Sequence, residues 1–195
     1  SYVRFDIEAS EADKAVAEEA IMKADADVKA ANGDVKAIKS AIRGVDGKVE
    51  KYVAVSTLNE SEAAAIKAGN NYGPVLNGDT WTAKYIVSKV SAPESYTLSA
   101  ITAESPMAAD KLVEEIKAVN GNLAEIEAGA NATTEVVKMA TLSERDADKF
   151  INAKVGDVFT YTVNNKPAAV VVTELGAKDD FVLTANVNYA VKASN

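Results

Sequence analysis

The sequence predicts an α+β fold made of a tandem duplication, in which each module holds a long helix, a short helix and an antiparallel strand meander. The first observation is an apolar repeat of helical spacing in residues 116–126 (IKAVNGNLAEI), and the second is its earlier counterpart in residues 28–38 (VKAANGDVKAI). The third is the alternation of apolar and polar residues in several short segments, which is typical of half-buried strands. We therefore predict two homologous modules, residues 1–103 and residues 104–195.

A strand is predicted over Tyr2–Ala9, because apolar and charged residues alternate there. Ser10 is followed three residues later by Asp13, which is the spacing of a capping box at the start of a helix. No meander precedes this strand, although backbone N–H and C=O groups need partners. The strand therefore either closes the sheet of the first module or extends a sheet in a neighbouring subunit.

The long helix of the first module is predicted from Glu11 to about Gly44. Asn32-Gly33 is a possible break, but the apolar pattern keeps its phase across the pair, so we predict a continuous or slightly kinked helix. We expect the apolar stripe of each long helix to be buried: Ile21, Val28, Val35 and Ile42 in the first module, and Leu112, Ile116, Val119, Leu123 and Ile126 in the second.

Further matched segments support the duplication. Thr57-Leu-Asn-Glu60 recurs 84 residues later as Thr141-Leu-Ser-Glu144, and each predicts a capping box before a short helix, at 61–68 and at 145–153. The remaining strands are predicted at Lys51–Ser56, Trp81–Val90, Tyr96–Ile101, Val158–Val163, Ala168–Leu175 and Phe181–Val191, the last three as a meander.

Composition restricts the possible functions. The formal net charge of −8 repels phosphate backbones and anionic membranes, so we expect neither nucleic acid nor membrane as a partner. The absence of Cys and His removes thiol nucleophiles, imidazole bases and the usual ligands of zinc, copper and haem. We predict no enzymatic activity, no cofactor and no metal site.

Three basic residues recur every seven positions beside the first apolar stripe: Lys29, Lys36 and Arg43. If the helix is continuous, they form a basic stripe that is suited to an acidic protein surface. The alternative is ordinary solvated charge, since Asp34 and Asp46 alternate with them.

The segment from Tyr72 to Trp81 carries the only Trp, a Tyr and several amide and carboxylate groups. Such a set is typical of a sugar-binding loop, but a single Trp at the start of a strand is also typical of a buried core residue.

Paired carboxylates also have two interpretations, either as acid–base pairs of an active site or as exposed charge. The pairs are Asp25/Asp27, Glu114/Glu115, Asp146/Asp148 and Asp179/Asp180.

In composition, in the absence of Cys and His and in the repetition of domains, the chain resembles virion proteins of tailed phages, particularly capsid decoration, auxiliary and head-fibre proteins. The resemblance implies a non-enzymatic structural protein, made in the host cytoplasm and located in the virion. Its implied partners are the major capsid protein or another virion protein, and copies of itself. The alternative is a surface adhesin or carbohydrate-binding module that uses the Tyr72–Trp81 loop.

Overall fold

The computed structural model describes residues 7–194 and has the predicted α+β class. It contains five α-helices: α1 Glu11–Ala30, α2 Val35–Ile42, α3 Glu60–Lys67, α4 Pro106–Ala118 and α5 Glu144–Phe150. Nine strands are present in the same residues: β1 Lys48–Val49, β2 Val53–Ala54, β3 Tyr72–Asn77, β4 Thr80–Pro93, β5 Ser95–Thr102, β6 Thr133–Lys138, β7 Val158–Val163, β8 Lys166–Leu175 and β9 Lys178–Ala190. The predicted strand Tyr2–Ala9 lies mostly outside the described residues, and Ile7–Ala9 are not in a strand.

The strands form two sheets whose orders correspond. One sheet has the order β1-β9-β4-β3, with β2 also paired to β9, and the other has the order β6-β5-β8-β7. The predicted pairing of β7 with β8 is confirmed, but the predicted three-strand meander is wrong. Because β5 occupies the other edge of β8, the next strand β9 pairs in the first sheet instead.

The chain divides into two compact units. Among the described residues, unit 1 contains 7–50, Val55–Lys89 and 182–194, whereas unit 2 contains Lys51–Ala54 and Val90–Phe181. These units differ from the predicted modules 1–103 and 104–195, which are each continuous in sequence. The difference arises because β5 and most of β9 each pair in the sheet of the other half of the chain.

The long helix of the first module is not continuous, and this prediction is wrong. Asn32 and Gly33 have φ of 48° and 82°, which ends α1, and the Asp34 side chain then caps α2 by accepting hydrogen bonds from the N–H groups of Lys36 and Ala37. The apolar pattern keeps its phase because α1 and α2 pack against each other and both bury apolar residues in one core.

The same break occurs in the second half of the chain. Helix α4 ends at Ala118 before Asn120 and Gly121, which have φ of 54° and 80°, and the Asn122 side chain caps a short 3₁₀ turn at Leu123–Glu125. The predicted helix over residues 116–126 is therefore also interrupted. Left-handed φ values are favourable for glycine and tolerated by asparagine, so Asn-Gly followed by a capping residue determines this local structure.

The predicted short helices are present as α3 and α5, but their caps differ from the prediction. Asn59 and Ser143 are the N-caps, each accepting a hydrogen bond from a backbone N–H three residues later, rather than Thr57 and Thr141. A 3₁₀ turn precedes each cap, at Val55–Thr57 and at Met139–Thr141. Thr57 and Thr141 are the last residues of these turns, so each helix starts two residues later than it would if the Thr were its N-cap.

The predicted burial of the apolar stripes is confirmed in part, since some of their residues are buried and the others are half-buried. Ile21, Val28 and Ile42 are buried in unit 1 together with Ala83, Tyr85 and Ala185 of the sheet, and Val35 is half-buried. In unit 2, Ile116 is buried beside Ala169 and Val171 of β8, and the other members of the second stripe are half-buried. Each helical stripe therefore packs on the sheet of its own unit.

Asp13 supports the predicted capping box at the start of α1. Its carboxylate accepts hydrogen bonds from the backbone N–H of Ser10 at 2.9 Å and of Ser194 at 3.2 Å. These bonds, that from Ser10 first, lower the pKa of Asp13 from 3.8 to about 2.

Replacing Asp13 by asparagine is expected to remove a pH-dependent part of the stability. Because the folded pKa lies below the unfolded pKa, the ionised carboxylate stabilises the fold fully above about pH 4, and this contribution is lost as the pH falls towards about 2. The melting temperatures of wild type and Asp13→Asn, measured between these values, should converge as the pH decreases. A difference that stays constant down to pH 2 would contradict this assignment.

Candidate interaction surface

The three predicted basic residues are exposed but do not form one stripe. Lys29 lies in the last turn of α1, Lys36 in the first turn of α2, and Arg43 in the 3₁₀ turn that follows α2. The left-handed residues Asn32 and Gly33 separate Lys29 from the other two. A single helical stripe is therefore excluded, and the basic residues instead belong to a pair of packed helices.

Lys29 also has a partner within unit 1. Its ammonium lies 2.9 Å from Oδ2 of Asp25, and the Tyr85 hydroxyl donates to Oδ1 of the same carboxylate at 3.0 Å. Tyr85 is buried on β4, and both burial and the Asp25 carboxylate raise the pKa of its hydroxyl well above the usual value. This network attaches α1 to the sheet, so Lys29 and Asp25 have a structural role.

Replacing Tyr85 by phenylalanine is expected to reduce the free energy of unfolding by about 1–3 kcal/mol, because the mostly buried Asp25 carboxylate loses its hydroxyl donor. Tyr96 provides a matched control. Its hydroxyl is buried and has no hydrogen-bond partner among residues 7–194, so Tyr96→Phe is expected to be neutral or stabilising. Chemical denaturation of the two variants measures the contrast, and equal losses in both would show that the Tyr85–Asp25 bond adds nothing.

A groove of about 610 Å³ lies between α1 and α2 within unit 1. Its lining consists mainly of alanines from both helices, with Gly44 and Val45 at one end. Lys23 and Asp27 also line it and form an ion pair at 3.1 Å. Arg43 lies within the segment that supplies the second wall, which runs from Ala37 to Val45, and Lys36 immediately precedes that segment, but neither residue lines the groove. The unit 1 surface therefore combines a shallow groove of small side chains with exposed cations on the helical segment beside it.

The predicted sugar-binding loop is a β-hairpin rather than an open loop. Tyr72 lies on β3 opposite Lys84 of β4, and Leu76 lies opposite Trp81. Trp81 is only 9% exposed and belongs to the core of unit 1, whereas Tyr72 is half-buried. The indole has the position of a core side chain, and it does not present a face on which a sugar ring can stack.

The paired carboxylates do not gather into one site. Asp25 is held by Lys29 and Tyr85, and Asp27 pairs with Lys23. Across residues 7–194, no group of three or more acidic side chains is arranged to hold a metal ion.

Sequence reasoning did not predict the groove or the Tyr85–Asp25 network. The groove does have a pattern in the sequence, namely Asn32-Gly33-Asp34 with alanines on both sides. This pattern indicates two closely packed short helices. The Tyr85–Asp25 contact joins residues 60 positions apart, so no local pattern indicates it.

Comparison with protein-family models, curated proteins and solved structures gives no match to this chain. None of the helices within residues 7–194 is long and apolar enough to cross a membrane.

Proposed function

We propose that this chain is a non-enzymatic structural protein of a phage particle, which binds the capsid or another virion component as a decoration or auxiliary protein. The observation that carries the proposal is the correspondence between the two sheets. The two orders, β1-β9-β4-β3 and β6-β5-β8-β7, match position by position, with β1 corresponding to β6, β9 to β5, β4 to β8 and β3 to β7. A repeated module is suited to a shell because it presents similar surfaces to similar neighbours.

The tandem duplication is part of this proposal, and strand register supports it. Ala100 of β5 lies opposite Thr133 of β6, and Ala185 of β9 lies opposite Val49 of β1. Thr133 follows Val49 by 84 residues and Ala185 follows Ala100 by 85, which are the offsets seen in the matched sequence segments. We infer that the two halves descend from one module. Each sheet is completed by a β-strand from the other half of the chain.

The proposed contact surface is the α1–α2 pair of unit 1, with Lys36 and Arg43 facing an acidic region of the major capsid protein. From Lys29 to Lys51 the chain has six basic and three acidic residues, although its net charge is −8. The overall negative charge supports a protein partner rather than nucleic acid or a membrane. In unit 2 a 3₁₀ turn takes the place of α2, so this basic surface is specific to unit 1.

Sedimentation tests the proposal. The chain, produced in a culture that is infected by the phage encoding it, should co-sediment with intact particles in a density gradient, and recovery only from the top of the gradient would contradict the proposal. Lys36→Glu combined with Arg43→Glu should reduce co-sedimentation. Lys111→Glu combined with Lys117→Glu, an equal charge change on the exposed face of α4, should not reduce it.

The alternative of an adhesin or carbohydrate-binding module is not developed further, because Trp81 is a core residue of unit 1. A glycan screen with the purified chain tests that alternative directly, and we expect no binding.

A further inference from the structure

In each sheet, one inner strand comes from a different half of the chain than the strands on either side of it. In unit 2, β5 lies between β6 and β8, and in the first sheet β9 lies between β1 and β4. We call the position between β1 and β4 the slot. Leu98 and Ala100 of β5 are buried, as are Leu183 and Ala185 of β9, so each strand buries side chains in the sheet that it completes.

Strands β5 and β9 differ in whether the chain continues from the strand into the helix of the same unit, which is α4 for β5 and α1 for β9. Strand β5 ends at Thr102 and leads covalently into α4, which is capped by Ser105. Strand β9 ends at Ala190, and the residues after it reach the first turn of α1, where the Ser194 N–H donates to Oδ2 of Asp13 at 3.2 Å. Ser194, which follows β9, thus contacts the first turn of α1 without being joined to it by the preceding chain.

The core of unit 1 is incomplete without the strand in the slot. Ala185 and Val187 belong to that core, and Asn186 accepts a hydrogen bond from Lys84 of β4 at 3.4 Å. An empty slot would expose these contacts and leave the inner edges of β1 and β4 unpaired. The slot must therefore be filled, but no covalent link to α1 requires that the same chain fill it.

We propose that copies of this chain join by exchanging β9, so that residues 182–190 of one copy fill the slot of another. Residues up to Phe181 belong to unit 2 and those from Val182 to unit 1, so in an exchanged form β9 would link unit 2 of one copy to unit 1 of another. All contacts of β9 within the slot are retained in the exchanged form. Within residues 7–194 each copy has one slot and one donor strand, so exchange produces either closed rings or open head-to-tail chains.

Concentration decides between the closed monomer and the exchanged form. In the monomer the donor strand is held near its own slot at a high effective concentration, which favours self-insertion in dilute solution. Refolding at high protein concentration should shift the population towards exchange. This inference does not rest on the proposed phage function, because its test uses the purified chain alone.

Two single-cysteine variants test the exchange, and the natural absence of Cys removes competing thiols. Asp13→Cys and Ser194→Cys are mixed, unfolded, refolded together at high concentration, diluted and oxidised. We expect a disulfide between the two different chains, at least about 10-fold above that of a control mixture of Asp13→Cys with Glu115→Cys, which lies on the exposed face of α4. A yield equal to that of the control overturns the proposal.

The unmodified chain provides a second measurement that needs no substitution. After refolding at increasing concentration, size-exclusion chromatography with light scattering should show dimers or longer species that persist on dilution. A monomer at every refolding concentration overturns the proposal, whether or not the chain binds a phage particle.

Discussion

Replacing Phe150 by alanine is expected to reduce the free energy of unfolding of unit 2 by about 3–5 kcal/mol. The Phe150 ring is fully buried at the end of α5, and its centroid lies 5.0 Å from that of Tyr96 and 5.1 Å from those of Phe159 and Tyr161. Removing it leaves a cavity in contact with three aromatic rings, and the two edge-to-face contacts are lost as well.

Chemical denaturation measures this loss, and Phe150→Leu provides the control. Leucine retains most of the apolar volume, so its cost should be clearly smaller than that of alanine. If both variants lose the same stability, the aromatic contacts rather than the cavity determine the effect. A cost below about 1 kcal/mol for alanine would show that Phe150 does not occupy a filled core.

Leu183→Ala and Leu98→Ala should each cost about 2–5 kcal/mol, because both side chains are buried in the sheets that their strands complete. Leu183 lies on β9 and Leu98 on β5, at matching positions of the two halves. The two variants should therefore report separately on unit 1 and unit 2.

Hydrogen exchange, measured residue by residue, separates these effects. Leu183→Ala should increase exchange mainly at the amides of unit 1, and Leu98→Ala mainly at those of unit 2. A uniform increase across the described residues for either variant would contradict two units of separate stability.

Local features of this fold were predictable from the sequence because they depend on neighbouring residues. The capping box of Ser10 and Asp13, the short helices α3 and α5 and the β7–β8 hairpin are each determined within about ten residues. The buried stripes were likewise predictable, since an apolar side of a helix is buried wherever a sheet covers it.

The break at Asn32-Gly33 has a signature in the sequence, although the apolar spacing alone predicts a continuous helix. The apolar residues keep their spacing across this pair, which favours a continuous helix. Two packed short helices preserve that spacing as well as one long helix does. The recurrence of Asn-Gly before a capping residue, at Asn120-Gly121, was the better indicator, because two independent copies of one turn sequence predict one turn.

Strand partners were not predictable in the same way. Strand β9 continues from β8 by a short connection, and local rules favour pairing between consecutive strands. The pairing of β9 with β1 instead depends on residues more than 130 positions apart in sequence, such as Val49 and Ala185. The candidate surface was likewise only partly predictable from the sequence. Its basic residues Lys29, Lys36 and Arg43 were identifiable, but the groove beside them depends on tertiary packing.

The discontinuity of unit 1 has a consequence for the order of events on the ribosome. Residues 90–181 emerge as one uninterrupted segment, so unit 2 can acquire its sheet as soon as they have been made. Unit 1 emerges earlier, but its central strand β9 is translated only after the residues of unit 2. The unit whose synthesis begins first is thus completed after the other, and until then the nascent chain displays two unpaired strand edges.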